Sequence, residues 1–189
     1  MESILSNIAK HIELSESEQD YFLSLLLPQK LEKRDYLQRA GDPCHYIHFV
    51  VEGILRAYFL NHEGKESTIM FATSDWWITD MDSFVNEKAA VVNVQAVVPA
   101  AVLSISKNHL DTLYREIPTF NVFFRILMQN AYCREQRRSF QTLSLPAKDR
   151  YDRFIANYPE VAQNVAQKHI ASYLGITPEF LSHLRATKD

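Results

Sequence analysis

The sequence predicts an α+β chain: a small antiparallel β-barrel or jelly roll, then a long helix, then a C-terminal helix-turn-helix. Three observations predict it. From about Gln29 to Ser106, short runs of β-branched and aromatic residues alternate with turn signals. From Pro118 to about Leu143, apolar residues fall at three-four spacing. Near the C-terminus, two short apolar-faced helices flank a glycine and a Thr-Pro pair.

The elements follow in order. Residues 1–27 read as helical. Ser15 and Glu18 form a capping box, Tyr21 to Leu27 supply a buried face, and Pro28 ends the helix. Arg39-Ala40-Gly41-Asp42-Pro43 is a turn by composition. His45 to Val51 reads as a strand, Glu52-Gly53 turns the chain, and Ile54 to Leu60 is the return strand. Asn61 to Gly64 is a polar hairpin loop before a strand at Glu66 to Ala72. Val91 to Val98 and Ala101 to Ile105 are expected to pair, bent at Val98-Pro99-Ala100. Lys107 to Arg115 is a short helix stopped before Pro118. The long helix then carries Phe120, Phe123, Phe124, Leu127, Met128, Ala131 and Tyr132 on one stripe. One small barrel would leave such a stripe uncovered, so pairing with the same helix of a second chain is expected. Leu145-Pro146-Ala147 breaks it, and Lys148 to Asn157 is a further helix.

The closing segment is the most informative. Ile170, Ala171 and Leu174 make one apolar face, and Gly175 suits a left-handed helix end. Thr177 is a good N-cap with Pro178 at the first helical position, and Leu181 and Leu184 give the second helix its apolar face. This is the sequence form of a helix-turn-helix, whose second helix enters the DNA major groove. The partner it implies is double-stranded DNA. Gln167, Lys168 and His169 would lie near the backbone, and Thr177, Glu179, Ser182, His183 and Arg185 would face the groove.

Composition sets the bounds. The chain has 189 residues, 47% hydrophobic and 23% charged, which is ordinary globular content. No signal peptide or membrane helix is read, and the two cysteines, Cys44 and Cys133, suit a reducing cytoplasm. Two thiolates also exclude a four-cysteine iron–sulfur cluster within one chain. The net charge of −3 is unevenly spread. Residues 1–117 hold 10 Lys+Arg against 17 Asp+Glu, and residues 118–189 hold 10 against 6. An acidic front and a basic back suit a sensor joined to a DNA-binding end. No nucleophile–base set, paired carboxylates or glycine-rich phosphate loop stands out, so no enzyme activity and no cofactor is assigned.

Capped helix, barrel, long helix and helix-turn-helix in this order resemble the Crp/Fnr family of bacterial transcription regulators. The barrel phrases Arg39-Ala40-Gly41-Asp42 and Val50-Val51-Glu52-Gly53-Ile54-Leu55-Arg56 carry the resemblance with Gln167 to Arg185. It implies a cyclic-nucleotide-binding-like sensor at 1–116, a dimerisation helix at 117–144, and a helix-turn-helix domain at 145–189. Two departures follow. Where cyclic-nucleotide binders carry Phe-Gly-Glu, this chain runs Asp75-Trp76-Trp77-Ile78-Thr79-Asp80, with Ile78 for the glycine and Thr79 for the glutamate. Where an Arg-Ser or Arg-Thr pair follows, Glu87-Lys88-Ala89-Ala90-Val91 has no arginine, and a buried phosphate without its cation is costly. Cyclic AMP binding of the usual kind is therefore not expected. The effector pocket would fall at Trp77, Ile78, Thr79, Asp80, Lys88, Ala89 and Ala90. At the DNA end, His183 stands where the family usually carries arginine, and no β-hairpin wing is read before Asp189.

Other constellations weigh less. His45 and His48 with Glu52 loosely resemble a cupin metal motif, but residues three apart in a strand point to opposite faces. No metal site is assigned, and a cupin-like metal enzyme stays a distant alternative. Adjacent Trp76 and Trp77 should face opposite ways, one of them flooring a pocket or marking a partner surface. Arg134, Arg137 and Arg138 read slightly better as a solvated helix face than as phosphate contacts. Cys133 reads as an inert thiol. A degenerate sensor that no longer binds DNA is the main alternative.

Overall fold

The computed structural model describes residues 1–186. Helices α1 (Glu2–Ala9) and α2 (Glu16–Ser24) open the chain. The Ser15–Glu18 capping box forms reciprocally, Ser15 Oγ accepting from the Glu18 amide and the Glu18 carboxylate from the Ser15 amide. Helix α2 ends at Ser24, and Pro28 lies inside a strand rather than closing the helix, so the helical reading to Leu27 runs three residues too far. Eight strands follow: β1 (Leu27–Leu31), β2 (Tyr36–Gln38), β3 (Tyr46–Glu52), β4 (Leu55–Leu60), β5 (Glu66–Ala72), β6 (Trp76–Ile78), β7 (Asn93–Ala96) and β8 (Ala100–Ser106). A short helix, α3 (Met81–Asn86), interrupts them.

The strands form two four-stranded antiparallel sheets, ordered β1-β8-β3-β6 and β2-β7-β4-β5. Of the two expected forms, barrel or jelly roll, the chain takes the two-sheet one, and the sheets do not close into a barrel. Edge strands β5 and β6 are neighbours but share no ladder. The expected pairings of β3 with β4 and of β7 with β8 are corrected, since each pair divides between the sheets. Gly53 makes the first crossing feasible. Its φ is +89°, and a Cβ there would sit 2.2 Å from the Pro99 carbonyl oxygen.

Alternation along the strands builds three apolar layers. Val50, Leu55, Ile78, Val94 and Val102 meet between the sheets. Ile47, Phe49, Trp77, Leu103 and Ile105 point outward from the first sheet onto α1, α2, α4 (Lys107–Glu116) and the start of α5 (Thr119–Ser144). Ile54 and Phe71 point outward from the second sheet, where with Val97 they meet α6 (Ala147–Asn157), α7 (Pro159–Asn164), α8 (Gln167–Leu174) and α9 (Pro178–Ala186).

The long helix does two jobs. Phe120 and Phe123 are fully buried and Phe124 nearly so, stacked among Phe22, Tyr114 and Trp77 of the same chain. The stripe named from the sequence is therefore largely covered without a partner. Of that stripe Tyr132 stays outward, 68% exposed, and a second series turns away from the fold: Val122, Ile126, Gln129, Cys133, Gln136, Phe140 and Leu143, at alternating four-three spacing. Phe140 is 62% and Leu143 87% exposed.

Candidate nucleic-acid interface and sensor cavity

The helix-turn-helix forms as its residues dictate. Gly175 has φ +67° and ends α8, its amide donating to Ala171 and Ser172 carbonyls. The Ile176 amide reaches back to Ala171 at 3.0 Å, closing the left-handed cap. Thr177 Oγ1 accepts from the Phe180 amide at 3.2 Å and caps α9. Ile170, Ala171, Leu174 and Leu181 are buried, so both helices are fixed by their apolar faces. That leaves Thr177, Glu179, Ser182, His183 and Arg185 exposed on the second helix, with Gln167 and Lys168 exposed at the start of the first. These seven of the eight predicted residues share one end of the fold and are open to a partner.

His169 is the exception. It turns toward the second sheet, where its Nδ1 lies 2.6 Å from Arg56 Nη1. Arg56 is 2% exposed and donates to Glu66 Oε2 at 2.6 Å and to Gln95 Oε1 at 2.8 Å, with its guanidinium 4.0 Å from the Tyr58 ring. Because Nη1 can only donate, His169 Nδ1 accepts, which requires a neutral ring. Burial, with the Arg56 charge in support, lowers its pKa to about 4. The hydrogen bond from Arg56 holds the Glu66 carboxyl below its usual range. Ser172 completes this seam. Its hydroxyl donates to the Glu66 carbonyl at 2.8 Å and accepts from the Thr68 amide at 2.9 Å. The sequence reading quoted Arg56 only inside a strand phrase. An arginine between Leu55 and Ala57, on a strand whose neighbours are apolar, is the signal that would have found it.

The predicted effector residues divide. Trp77, Ile78, Thr79 and Asp80 line a cavity of roughly 420 Å³ where edge strands β5 and β6 meet α5. Lys88, Ala89 and Ala90 do not reach it. The Ala89–Ala90 segment pairs instead with the Gly41–Pro43 turn, through the Ala90 amide to Asp42 and the Gly41 amide to Ala90. Lys88 is exposed, 3.9 Å from Asp82. Asp80 is buried and fully used: its carboxylate accepts from the amides of Val91 and Val92 at 2.8 and 3.0 Å and of Ser83 at 3.3 Å. Most of the cavity wall is hydrocarbon, from Ile69 and Met70, Trp76 and Ile78, and Leu127, Met128 and Ala131 of α5, which also adds Asn130, Arg134 and Glu135. The α5 residues were read as dimer stripe, and only the fold shows that they close a cavity. Asp75 at its rim is held by Asn7 at 2.9 Å and by Lys10. Arg134 lies over the Trp76 ring at 4.6 Å.

The tryptophans face apart as alternation requires. Trp77 is buried and donates to Asn7 Oδ1 at 3.1 Å, while Trp76 is half-buried. His45 is exposed, and His48 is buried between the sheets, 2.7 Å from Ser104 Oγ. Burial lowers the His48 pKa to about 4. Cys133 is exposed and Cys44 buried. The described residues include no helix long and apolar enough to cross a membrane.

Comparison with known proteins agrees with this architecture. Residues 28–116 match the cyclic nucleotide-binding domain family. The chain is 23% identical over 192 residues to an anaerobic regulatory protein of Pasteurella multocida, covering 95% of this chain and 70% of that one. Among solved structures, it superposes on FixK2 from Bradyrhizobium japonicum with a TM-score of 0.76 at 15% identity, covering 86% of this chain and 83% of that one. The c-di-GMP responsive global regulator CLP of Xanthomonas campestris gives 0.75 at 15% identity, covering 92% and 91%. Together these show a fold and an order of parts shared with FixK2 and CLP.

Proposed function

We propose that this Crp/Fnr-type chain is a cytoplasmic, homodimeric transcription regulator that binds double-stranded DNA through α9. In this reading residues 1–116 are the sensor, 117–144 the dimer helix and 145–189 the DNA-binding domain. The observation that carries it is the second helix of the helix-turn-helix. Leu181 anchors it to the fold, while Glu179, Ser182, His183 and Arg185 stand outward on a capped, rigid element. Dimerisation uses the outward four-three series from Val122 to Leu143, whose spacing is that of a coiled-coil seam. Glu179 accepts from cytosine, Arg185 serves phosphate or guanine, and His183 replaces a bidentate arginine contact with a weaker one.

The sensor does not bind cyclic AMP in the usual way. Three facts support this. The one cation of the cassette loop, Lys88, is outside the cavity, the Asp80 carboxylate is consumed by backbone amides, and most of the cavity wall is hydrocarbon. Among the described residues Arg134 is the one cation in that lining, and it lies over the Trp76 ring with Glu135 3.8 Å away, so a cyclic phosphate buried there would meet a cation already paired. An apolar small molecule fits the wall, and its contact with Leu127, Met128 and Ala131 would bear directly on the dimer helix.

Selection from a random duplex pool tests the reading. A palindromic motif with half-sites about one helical turn apart supports a dimeric, sequence-specific regulator. No enrichment at low or high salt contradicts it and favours a sensing module without DNA binding. Calorimetric titration with cyclic AMP should show no binding up to about 1 mM.

A further inference from the structure

The corner between α5 and α6 holds a second pocket of roughly 290 Å³, which shares only Trp76 and Arg134 with the cavity beside β5 and β6. Arg134, Arg137 and Arg138 line it from α5, and Arg150 and Arg153 from α6. Among the described residues one carboxylate, Glu135, answers them, 3.8 Å from Arg134 and 3.4 Å from Arg138. Guanidiniums gathered in a half-enclosed site repel one another, and an anion would relieve that repulsion.

The five arginines are not equivalent. Arg138 lies over the Tyr173 ring at 4.5 Å and donates to the Ile69 carbonyl, as Arg134 lies over Trp76. Arg150 is fixed by its terminal nitrogens, which donate to the carbonyls of Leu145 at 3.0 Å and Leu174 at 3.2 Å. Its Nε is buried without a hydrogen-bond partner. Arg137 and Arg153 make no hydrogen bond or ion pair among the described residues, and they face the pocket from different helices. Two uncommitted forks suit two neighbouring anionic groups, and guanidinium matches phosphate oxygens bidentately. Beside them runs a ring wall, with Tyr158 5.9 Å from Trp76 and 5.4 Å from Phe154 between centroids.

We propose that this pocket binds a nucleoside polyphosphate, its phosphates between Arg137, Arg150 and Arg153 and its base against the ring wall. The concavity receives a small molecule, whereas a duplex backbone is convex and would meet an open track of cations. Bound there, the ligand would join the sensor edge at Trp76 to the end of α5 and to α6 of the DNA end.

The test is calorimetric titration of the full chain with inorganic pyrophosphate, ATP, GTP, AMP and adenosine. Pyrophosphate and both triphosphates should bind and perturb tryptophan emission, AMP should bind at least about tenfold more weakly, and adenosine should not bind. The double variant Arg137→Gln/Arg153→Gln should lose at least about tenfold for ATP, while Lys30→Gln, on β1 and away from the pocket, leaves ATP affinity unchanged. Should the double variant unfold, Arg137→Lys/Arg153→Lys keeps the charge but not the fork, and weakened ATP binding is still expected. Absence of pyrophosphate and triphosphate binding overturns the proposal. So does binding that the double variant leaves unchanged. Loss of duplex retention in the double variant, without pyrophosphate binding by the parent, would assign the arginines to DNA phosphates instead. None of these titrations requires that α9 recognise an operator.

Discussion

The two helical layers that cover this sandwich are built differently. The layer from α1, α2, α4 and the start of α5 meets the first sheet mostly through hydrocarbon and aromatic rings, with Phe22, Phe49, Phe120 and Phe123 each at or near zero exposure. Its polar side-chain contacts with that sheet, Asn7 with Trp77 and Asp75 and Lys10 with Asp75, are confined to the start of edge strand β6. The layer from α6 to α9 meets the second sheet through Ile54, Phe71 and Val97, but also through Arg56, Glu66, His169, Thr68 and Ser172. A hydrocarbon seam is indifferent to pH and salt. A seam of charged and hydroxyl groups depends on protonation and exchanges readily with water. The difference teaches which part of the molecule can move: the first sheet keeps its own helices, and the layer from α6 to α9 is held by contacts that conditions can loosen.

Four substitutions or conditions separate the two layers, each read by amide hydrogen exchange and thermal unfolding. Phe123→Ala should cost about 3–5 kcal/mol, because it empties a fully buried ring site. It should lower protection in both layers together. Arg56→Met should cost about 1–3 kcal/mol, since it leaves the half-exposed Glu66 without its partner. Protection should fall at Ile170 to Leu174 and stay unchanged at β3 and β8, and a uniform loss would show that the two layers are one cooperative unit. Ser172→Ala should cost about 1 kcal/mol, mostly at the Thr68 amide.

The smallest effect is a step from pH 7 to pH 6. His169 sits at about 4 in the seam and returns to an ordinary value near 6.5 when released. The released state therefore binds more protons between those values, and the seam weakens as pH falls. Glu66 is held low in the seam, so it acts with the same sign in more acid solution. Between pH 7 and 6 the loss should stay below about 1 kcal/mol. His48, neutral between the sheets, has the same sign, but its effect should appear in β3 and β8. A seam that tightens on acidification would contradict the neutral-histidine geometry.

Trp76 and Arg134 line both the apolar cavity and the arginine pocket. Trp76→Ala should therefore weaken binding of a neutral apolar dye at the first and of ATP at the second, whereas Ala131→Phe should weaken only the dye. A variant at the shared wall that affects one site alone would separate them.

Much of this was legible in the chain. The cap at Ser15, the left-handed Gly175, the Thr177 cap and the burial of Leu181 follow from local chemistry, and sequence states local chemistry directly. What was illegible is what the fold decides. Whether β3 pairs with β4 depends on where Gly53 lets the chain cross, and a turn signal reads the same for a hairpin and for a crossing. Phe120, Phe123 and Phe124 announce an apolar stripe, but not whether the same chain or a second one covers it. Arg137 and Arg153 gain meaning only because the break at Leu145–Ala147 folds α6 back beside α5. Of the residues named for an effector pocket, Trp77 to Asp80 line the cavity while Lys88 to Ala90 are drawn to the Gly41 turn, a division that only the path of the chain after α3 decides.

The most direct measurement takes the duplex recovered by selection and inserts five base pairs between its half-sites, turning them to opposite faces of the helix. A dimer joined through α5 should lose at least about a hundredfold in affinity, because one recognition helix can no longer reach its groove. Unchanged affinity, or the absence of any recoverable site, would contradict a dimeric DNA-binding regulator.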